Sequence, residues 1–423
     1  MSDWRSVHLG EIARIEIGGT PARDQPRFWA HSQEGHAWAS IADLTRKWIS
    51  TTSETITDAG VRHSNTKPIP PGTLMMSFKL TIGRCAIAAR LLYSNEAIAS
   101  FFLDRASADT HWLYYALPPI ASRAVIDVAI KGGTLNMSSL RRLRVALPPL
   151  AEQNLIAQIL DTIDSAVSRS EQIVAKLKLV KQGLVHDLLT RGIDDNGELR
   201  DPDRHPEQFQ DSPLGRIPKT WVATQLGGVV PRATYGGSEA LTAGPGIPVL
   251  RMNNIRDGEA HLEDLKYSDH PCYRGLLLRD GDVLFNRTNS IEHVGRTGIW
   301  RGQIATASFA SYLVKLDPDP ARLRCEFLNR LLNWDIIQLQ IRRYATPGVH
   351  QVNINPTNLR RTLVALPTSL EEQDRITQLL AAEDGRIRAE VTVLEKLRLL
   401  KQALMDDLLT GRVRVTPLLE GNA

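Results

Sequence analysis

The sequence predicts an α+β chain built twice on one plan: a mixed α/β module followed by a long helix, with the two helices packing together as a coiled coil. Three observations predict it. Residues 176–190, Lys176-Leu-Lys-Leu-Val-Lys-Gln-Gly-Leu-Val-His-Asp-Leu-Leu-Thr190, match residues 396–410 at ten of fifteen positions, with an offset of 220 in a chain of 423 residues. A period that long marks a duplicated module rather than a solenoid unit. Ahead of and through each repeat, apolar residues recur in steps of three and four, as on a helix with a one-sided seam. The segments preceding both helices are short apolar runs closed by Gly and Pro, the pattern of strands and turns.

The repeat extends backwards. Gln153 corresponds to Gln373, and after a one-residue length difference Leu140-Arg-Arg142 pairs with Leu359-Arg-Arg361 and Ala146-Leu-Pro148 with Ala365-Leu-Pro367. Trp4, Leu9 and Gly10 recur as Trp221, Leu226 and Gly227. Gly72-Thr-Leu-Met-Met-Ser corresponds to Gly281-Asp-Val-Leu-Phe-Asn, and Ile82-Gly-Arg84 to Val294-Gly-Arg296. Between these anchors the second copy is longer and differently charged, as expected of two readers that share a frame and read different things. The boundaries that follow are a first module over 1–148, a long helix over 149–192, a linker over 193–220, a second module over 221–367, a second long helix over 368–412 and a tail over 413–423.

In the first module, residues 74–78 after Pro70-Pro-Gly72 and residues 85–89 after Gly83-Arg84 read as strands. Residues 112–117 and 121–130 read as helical, and the Pro118-Pro119 pair is expected to break them apart. Lys131-Gly-Gly133 opens a loop. Pro148-Pro149 begins the first long helix, with Glu152 in the first turn where a carboxylate suits the helix dipole. Ile156, Ile159, Ile163, Ala166, Ile173, Leu177, Val180 and Leu184 make an expected seam interrupted at Ser170, and Thr190-Arg-Gly192 stops a helix of roughly 37 residues, ~55 Å long. The second long helix places Ile376, Leu380, Ile387, Val391, Leu394, Leu397, Leu400, Leu404 and Leu408 on one stripe. Its middle carries Glu383, Arg386 and Glu390 in place of Ile163, Ala166 and Ser170, which predicts looser or wetter packing there. Residues 194–220 are polar and rich in turn formers, as in a linker.

An apolar content of 42% is enough for each module to build a core, and a net charge of +4 permits nucleic-acid binding without demanding it. Cys85, Cys272 and Cys325 stand far apart, so neither a disulfide framework nor a zinc site is expected. No signal peptide follows Met1 and no apolar run is long enough to span a bilayer, so a cytoplasmic location without membrane contact is expected. The sequence contains no phosphate loop, no dinucleotide fingerprint and no Asn/Asp-Pro-Pro-aromatic motif of an adenine methyltransferase. Asp203, with Asp264 and Lys266, superficially spells a nuclease set, but these residues lie in the linker and a polar stretch, so no catalytic residue and no metal ligand is assigned.

The paired helices ending in Asp-Leu-Leu-Thr, the openings Ala-Leu-Pro-Pro-Leu-Ala-Glu-Gln153 and Ala-Leu-Pro-Thr-Ser-Leu-Glu-Glu-Gln373, and the central run from Asp211 through Ile217-Pro-Lys-Thr to Trp221 together resemble the specificity subunits of type I restriction-modification systems. The resemblance covers the whole chain in order. It implies two target recognition domains, each reading half of a bipartite site in double-stranded DNA, and two long helices that pack as an antiparallel coiled coil, set the spacer and dock two methyltransferase subunits. It also implies that the chain is not an enzyme and holds no cofactor. Methylation from S-adenosylmethionine and restriction driven by ATP and Mg2+ would belong to the methyltransferase and restriction subunits.

Phosphate contacts would then position each module and polar side chains in loops would specify bases. The first module offers Arg62, His63, Asn65, Lys79, Thr81, Arg84 and Lys131. The second offers Arg251, Asn253, Asn254, Arg287, Thr288, Asn289, Arg296, His350 and Gln351. Arg to guanine and Asn or Gln to adenine are the pairings that major-groove geometry favours, which singles out Arg287 and Asn289. Lys176, Lys181 and Gln182, with Lys396, Lys401 and Gln402, lie largely off the expected seam and are candidates for docking partner subunits. The competing reading is a coiled-coil adaptor between proteins, without DNA specificity.

Overall fold

The computed structural model describes residues 4–30, 34–130, 136–348 and 351–420. They form two compact units, Met1–Glu171 with Thr392–Ala423, and Gln172–Val391.

The first unit is organised on a five-stranded sheet. Its strands lie in the order Ala13–Ile17, Ile98–Leu103, Leu74–Ser77, Cys85–Ala88 and Trp48–Ile49. Leu74, Met75, Met76 and Ser77 are all buried, because the central strand is covered on both faces, and it therefore reads as an unbroken apolar run. A smaller sheet of Trp29–Ala30, Glu54–Ile56, His36–Ala39 and Tyr93–Ser94 flanks it. The strand Arg5–His8 pairs antiparallel with Arg144–Leu147, which ties the beginning of the module to the residues just before the long helix. One expectation is overturned here: Thr110–Ile130 is a single helix with Pro118 and Pro119 inside it. Proline's fixed φ is compatible with a helix, and the buried Trp112, Leu113, Leu117 and Ala121 on either side of the pair anchor one continuous face to the core.

The second unit repeats the plan. Arg232–Tyr235, Leu313–Asp317, Val283–Asn286, Thr297–Ile299 and Gly258–Ala260 lie in the same order as their five counterparts, with Ile255–Arg256 added at the edge. Trp221–Gln225 pairs with Leu363–Pro367 as the closing ladder. Two helices, Cys325–Leu332 and Asp335–Arg342, lie against this sheet. A further sheet joins Thr288–Asn289, Val352–Ile354 and Ala345–Pro347. Residues 193–220, read from sequence as a linker, are packed into this unit: Phe209–Ser212 and Gly215–Pro218 form a hairpin, and Ile193, Phe209 and Ile217 are buried.

The long helices run Leu150–Thr190, 41 residues, and Leu370–Leu408, 39 residues. At 1.5 Å per residue each is ~60 Å long, slightly longer than the sequence suggested. On the first, Ile156, Leu160, Ile163, Ser170, Val174 and Leu188 are buried, and Val167, Leu177, Lys181 and Leu184 are half-buried between them. The positions 220 residues later, from Ile376 and Leu380 to Leu404 and Leu408, repeat this heptad alternation of four and three. The seam is thus rotated from the expected one. Ile173, Val180 and Leu400 are exposed, whereas Ser170 is only 3% exposed and belongs to the seam. Apolar periodicity defines a stripe wider than a seam, and only packing selects which edge of it is covered. Glu383 is buried in the Ile163 position and accepts a hydrogen bond from Arg386, which gives the second helix the polar middle its sequence predicts.

Both units pair the helices antiparallel. In the first, Asp164 meets Lys401 at 2.5 Å and Glu171 meets Arg398 at 2.6 Å. In the second, Lys181 meets Asp384 at 2.5 Å. Asp164 and Asp384 are repeats of one another, as are Lys181 and Lys401. One pairing is therefore made twice, each time with the aspartate from one copy and the lysine from the other.

The start of each helix is clamped in the same manner. Glu152 accepts from Arg414 at 2.6 and 3.0 Å and from Trp4 Nε1 at 3.4 Å. Glu372 accepts from Arg200 at 2.6 and 3.2 Å and from Trp221 Nε1 at 3.0 Å. The neighbouring glutamines are wholly buried. Gln153 accepts from the Asp109 amide and donates to the Ser107 and Pro148 carbonyls. Gln373 accepts from the Arg324 amide and donates to the Arg322 and Pro367 carbonyls.

Gln153→Ala or Gln373→Ala would leave one amide and two carbonyls unsatisfied in the interior. Each substitution is expected to destabilise its unit by about 3 kcal/mol, read by urea unfolding. The Arg414 guanidinium holds the Glu152 carboxyl below its ordinary pKa. A depressed carboxylate adds stability that is present above its unfolded pKa and is lost as pH falls through the folded value. The destabilisation caused by Arg414→Ala should accordingly be full at pH 7 and shrink below about pH 4, near the unfolded carboxylate value, in unfolding curves taken across that range.

Candidate nucleic-acid interface

In the first unit the hairpin joining Leu74–Ser77 to Cys85–Ala88 closes on Ser77. The Gly83 amide donates to the Ser77 carbonyl at 2.9 Å, and the Arg84 amide donates to Ser77 Oγ at 3.1 Å. Phe78 is buried beneath the loop, while Lys79, Thr81 and Arg84 are exposed. Glu96 lies close enough to Lys79 and Arg23 to feel both charges; its carboxyl is held below the ordinary range chiefly by the Thr20 hydroxyl. Arg62 ends the short helix Asp58–Arg62, and His63 and Asn65 follow it, all exposed. The His63 ring stacks on Phe28 with centroids 5.6 Å apart.

In the second unit the equivalent hairpin carries Arg287, Thr288 and Asn289. Thr288 and Asn289 form a short strand paired with Asn353 and Val352, which brings them beside Gln351. Arg287 lies over the Tyr235 ring at 5.1 Å and donates through Nη1 to the Ser311 carbonyl at 3.2 Å. Arg287 Nε and Asn353 Oδ1 are buried without a partner among the described residues. Arg296 is half-exposed at the hairpin's far end. The structure thus gathers Arg287 and Gln351 beside the small sheet that holds Thr288 and Asn289, with Tyr235 as a support that sequence reasoning missed.

Other candidates separate from this group. Asn254 is corrected: it is 1% exposed, its Oδ1 accepts from the Arg251 amide, and its Nδ2 donates to the His261 and Glu263 carbonyls, so it straps a loop and has no capacity left for a base. Arg251 is committed to Asp264 at 2.8 Å, with the exposed Asn253 beside the same carboxylate at 3.4 Å. Lys131 and His350 lie outside the described residues. A duplicated signal the sequence reading passed over is Gly18-Gly19, which recurs as Gly236-Gly237 after the first sheet strand. A Cβ at Gly18 would lie 2.2 Å from the Ser94 carbonyl oxygen, and one at Gly236 would lie 2.3 Å from that of Ala310. Both glycines allow a backbone contact that no side chain fits.

On the long helices Lys181 and Lys401 are corrected as free docking groups, since each is spent on an aspartate within its unit. Lys176, Lys396, Gln182 and Gln402 are exposed. Beside them lies a feature that the sequence had assigned in part to the seam. Ile173, Leu179 and Val180 are exposed, and so are their repeats Val393, Leu399 and Leu400. Leu179 and Leu399 are the most open of the six, at 67% and 72%.

Residues 1–179 match the type I restriction modification DNA specificity domain. A specificity subunit of the EcoBI type I restriction enzyme from Escherichia coli is 26% identical over 343 residues, covering 75% of this chain and 69% of that protein. The chain is similar to the specificity subunits of type I restriction-modification systems. The putative MjaX specificity subunit of Methanocaldococcus jannaschii is 31% identical over 222 residues, so this chain spans about half of that relative's length, 49%. The crystal structure of the type I S subunit from M. genitalium shares the fold at a TM-score of 0.55, with 12% identity and 96% of each chain covered. No helix among the described residues is long and apolar enough to cross a membrane.

Proposed function

We propose that the chain is the non-catalytic DNA-recognition subunit of a type I restriction-modification complex. Each module reads one half of a bipartite double-stranded site, and the long helices set the unread spacer and dock two methyltransferase subunits. Restriction subunits complete the assembly. S-adenosylmethionine, ATP and Mg2+ serve the partner chains, and the complex works in the cytoplasm.

The observation that carries this reading is one sheet topology made twice with different chemistry at the same hairpin. Lys79, Leu80 and Thr81 stand in one copy where Thr288, Asn289 and Ser290 stand in the other, on frames that match strand for strand. A shared frame serves a common task, and divergent exposed tips serve discrimination between targets. The duplicated apolar strip supports two identical partners. An exposed patch of this kind marks a protein interface, and its repetition with Lys176 and Lys396 alongside offers the same surface twice.

Exchanging residues 4–147 for the first module of an unrelated specificity subunit should change one half of the methylated motif and leave the other half and the spacer untouched. Sequencing of DNA methylated by the reconstituted complex reads this. An unchanged motif, or no DNA retention at low salt, would favour the adaptor instead. In the same reconstitution, Leu179→Glu or Leu399→Glu should each yield complexes lacking one methyltransferase, and the double variant should bind neither, as counted by native mass spectrometry.

A further inference from the structure

Leu80 sits in the loop of the first module's recognition hairpin and is 93% exposed. Its backbone is left-handed, with φ of +58°. Each property is unfavourable by itself: the first leaves a large apolar side chain in water, and the second puts Cβ where L residues are crowded. Glycine or asparagine would relieve both. The loop holds its shape without Leu80, through the Ser77 bonds to Gly83 and Arg84 and the bond from the Phe78 amide to the Ala97 carbonyl at 3.0 Å. Nothing in the packing of the unit calls for a leucine at this place.

The chemistry around it narrows what it meets. Lys79 and Thr81, both exposed, flank it, so the tip presents one apolar group between a cation and a hydroxyl. Protein interfaces bury ~800 Å² per partner, far more than one side chain offers. A polyanion with a single apolar feature on its readable edge fits better. In the DNA major groove that feature is the thymine 5-methyl group, the only apolar substituent among the base edges. Counting from Gly72 and Gly281, Asn289 occupies the position of Leu80 in the second copy. There a side chain with both donor and acceptor replaces one with neither.

We propose that Leu80 is a specificity-determining residue that reads a thymine 5-methyl group in the half-site bound by the first module. This rests on the DNA-recognition role proposed above. Lys79 holds the adjacent phosphate, and the left-handed backbone at Leu80 directs the side chain out of the loop toward the base edge.

The test uses the full chain assembled with its methyltransferase subunits, on synthetic duplexes in which each thymine of the methylated motif is replaced in turn by deoxyuridine. With the wild-type complex, one replacement in the first half-site should slow methylation at limiting enzyme by about four-fold, the effect of one lost buried methyl group. Leu80→Ala should be indifferent to that replacement and should accept other bases at that position. Leu80→Gly, which suits the positive φ, should behave as Leu80→Ala. Equal sensitivity of wild type and Leu80→Ala to every replacement overturns the proposal. A loss by Leu80→Ala that is uniform over all duplexes, as a wedge between base steps would give, overturns it as well. If the wild-type complex itself methylates without a bipartite motif, it is the DNA-recognition reading that fails.

Discussion

The start of each long helix is held by an adjacent carboxylate and carboxamide, and most of the architecture depends on that junction. Glu152 and Glu372 each gather a tryptophan indole and an arginine, while Gln153 and Gln373 each bind one amide and two carbonyls without any exposure to water. Buried polar groups of this kind are costly unless every bond is made, so the geometry tolerates little variation. The arginines come from beyond the ends of the opposite helices: Arg414 follows the second and Arg200 the first. Each unit therefore fixes the beginning of one helix and the end of the other, and neither helix can be placed by its own module alone.

Reciprocity of the same form runs along the seam. Asp164 with Lys401 and Asp384 with Lys181 are one interaction made in two units. Burial pulls the Asp384 carboxyl upward, but Lys181 and Arg330 outweigh it and keep it below the ordinary range. In the first unit the Tyr115 hydroxyl bridges Asp161 and Asp164 at 2.6 and 2.8 Å, which joins the module's helix to the long helix by a second polar link. A duplicated coiled coil with a charged register is well specified against sliding, because a shift of one residue would break every pair.

The frame and its outer hairpins obey different constraints. Central strands such as Leu74–Ser77 and Val283–Asn286 are buried on both faces, which confines them to residues that fit a closed interior. The residues just beyond them, exposed at Lys79 to Thr81 and half-buried at Arg287 to Ser290, are free to differ. At that edge the second copy adds a small sheet and an arginine resting on Tyr235, while the first presents an apolar tip between polar neighbours.

The sequence by itself determined the duplication, the order of modules and helices and the partnership of the two long helices, because repeated residues and heptad spacing are properties of the chain read in one dimension. It also placed Arg287 and Asn289 at the positions of Phe78 and Leu80 in the first copy. Tertiary structure alone decided the phase of the seam, since an amphipathic stripe is wider than the surface a partner helix covers. It alone kept Pro118 and Pro119 inside a helix, where core anchoring outweighs two missing N–H groups. It packed residues 193–220 into the second unit, with a hairpin at 209–218, committed Asn254 to strapping a loop and bound Lys181 and Lys401 within their own units. These outcomes share one cause: a polar residue's role is set by which partners lie within hydrogen-bond reach, and that distance is not written in the spacing of the sequence.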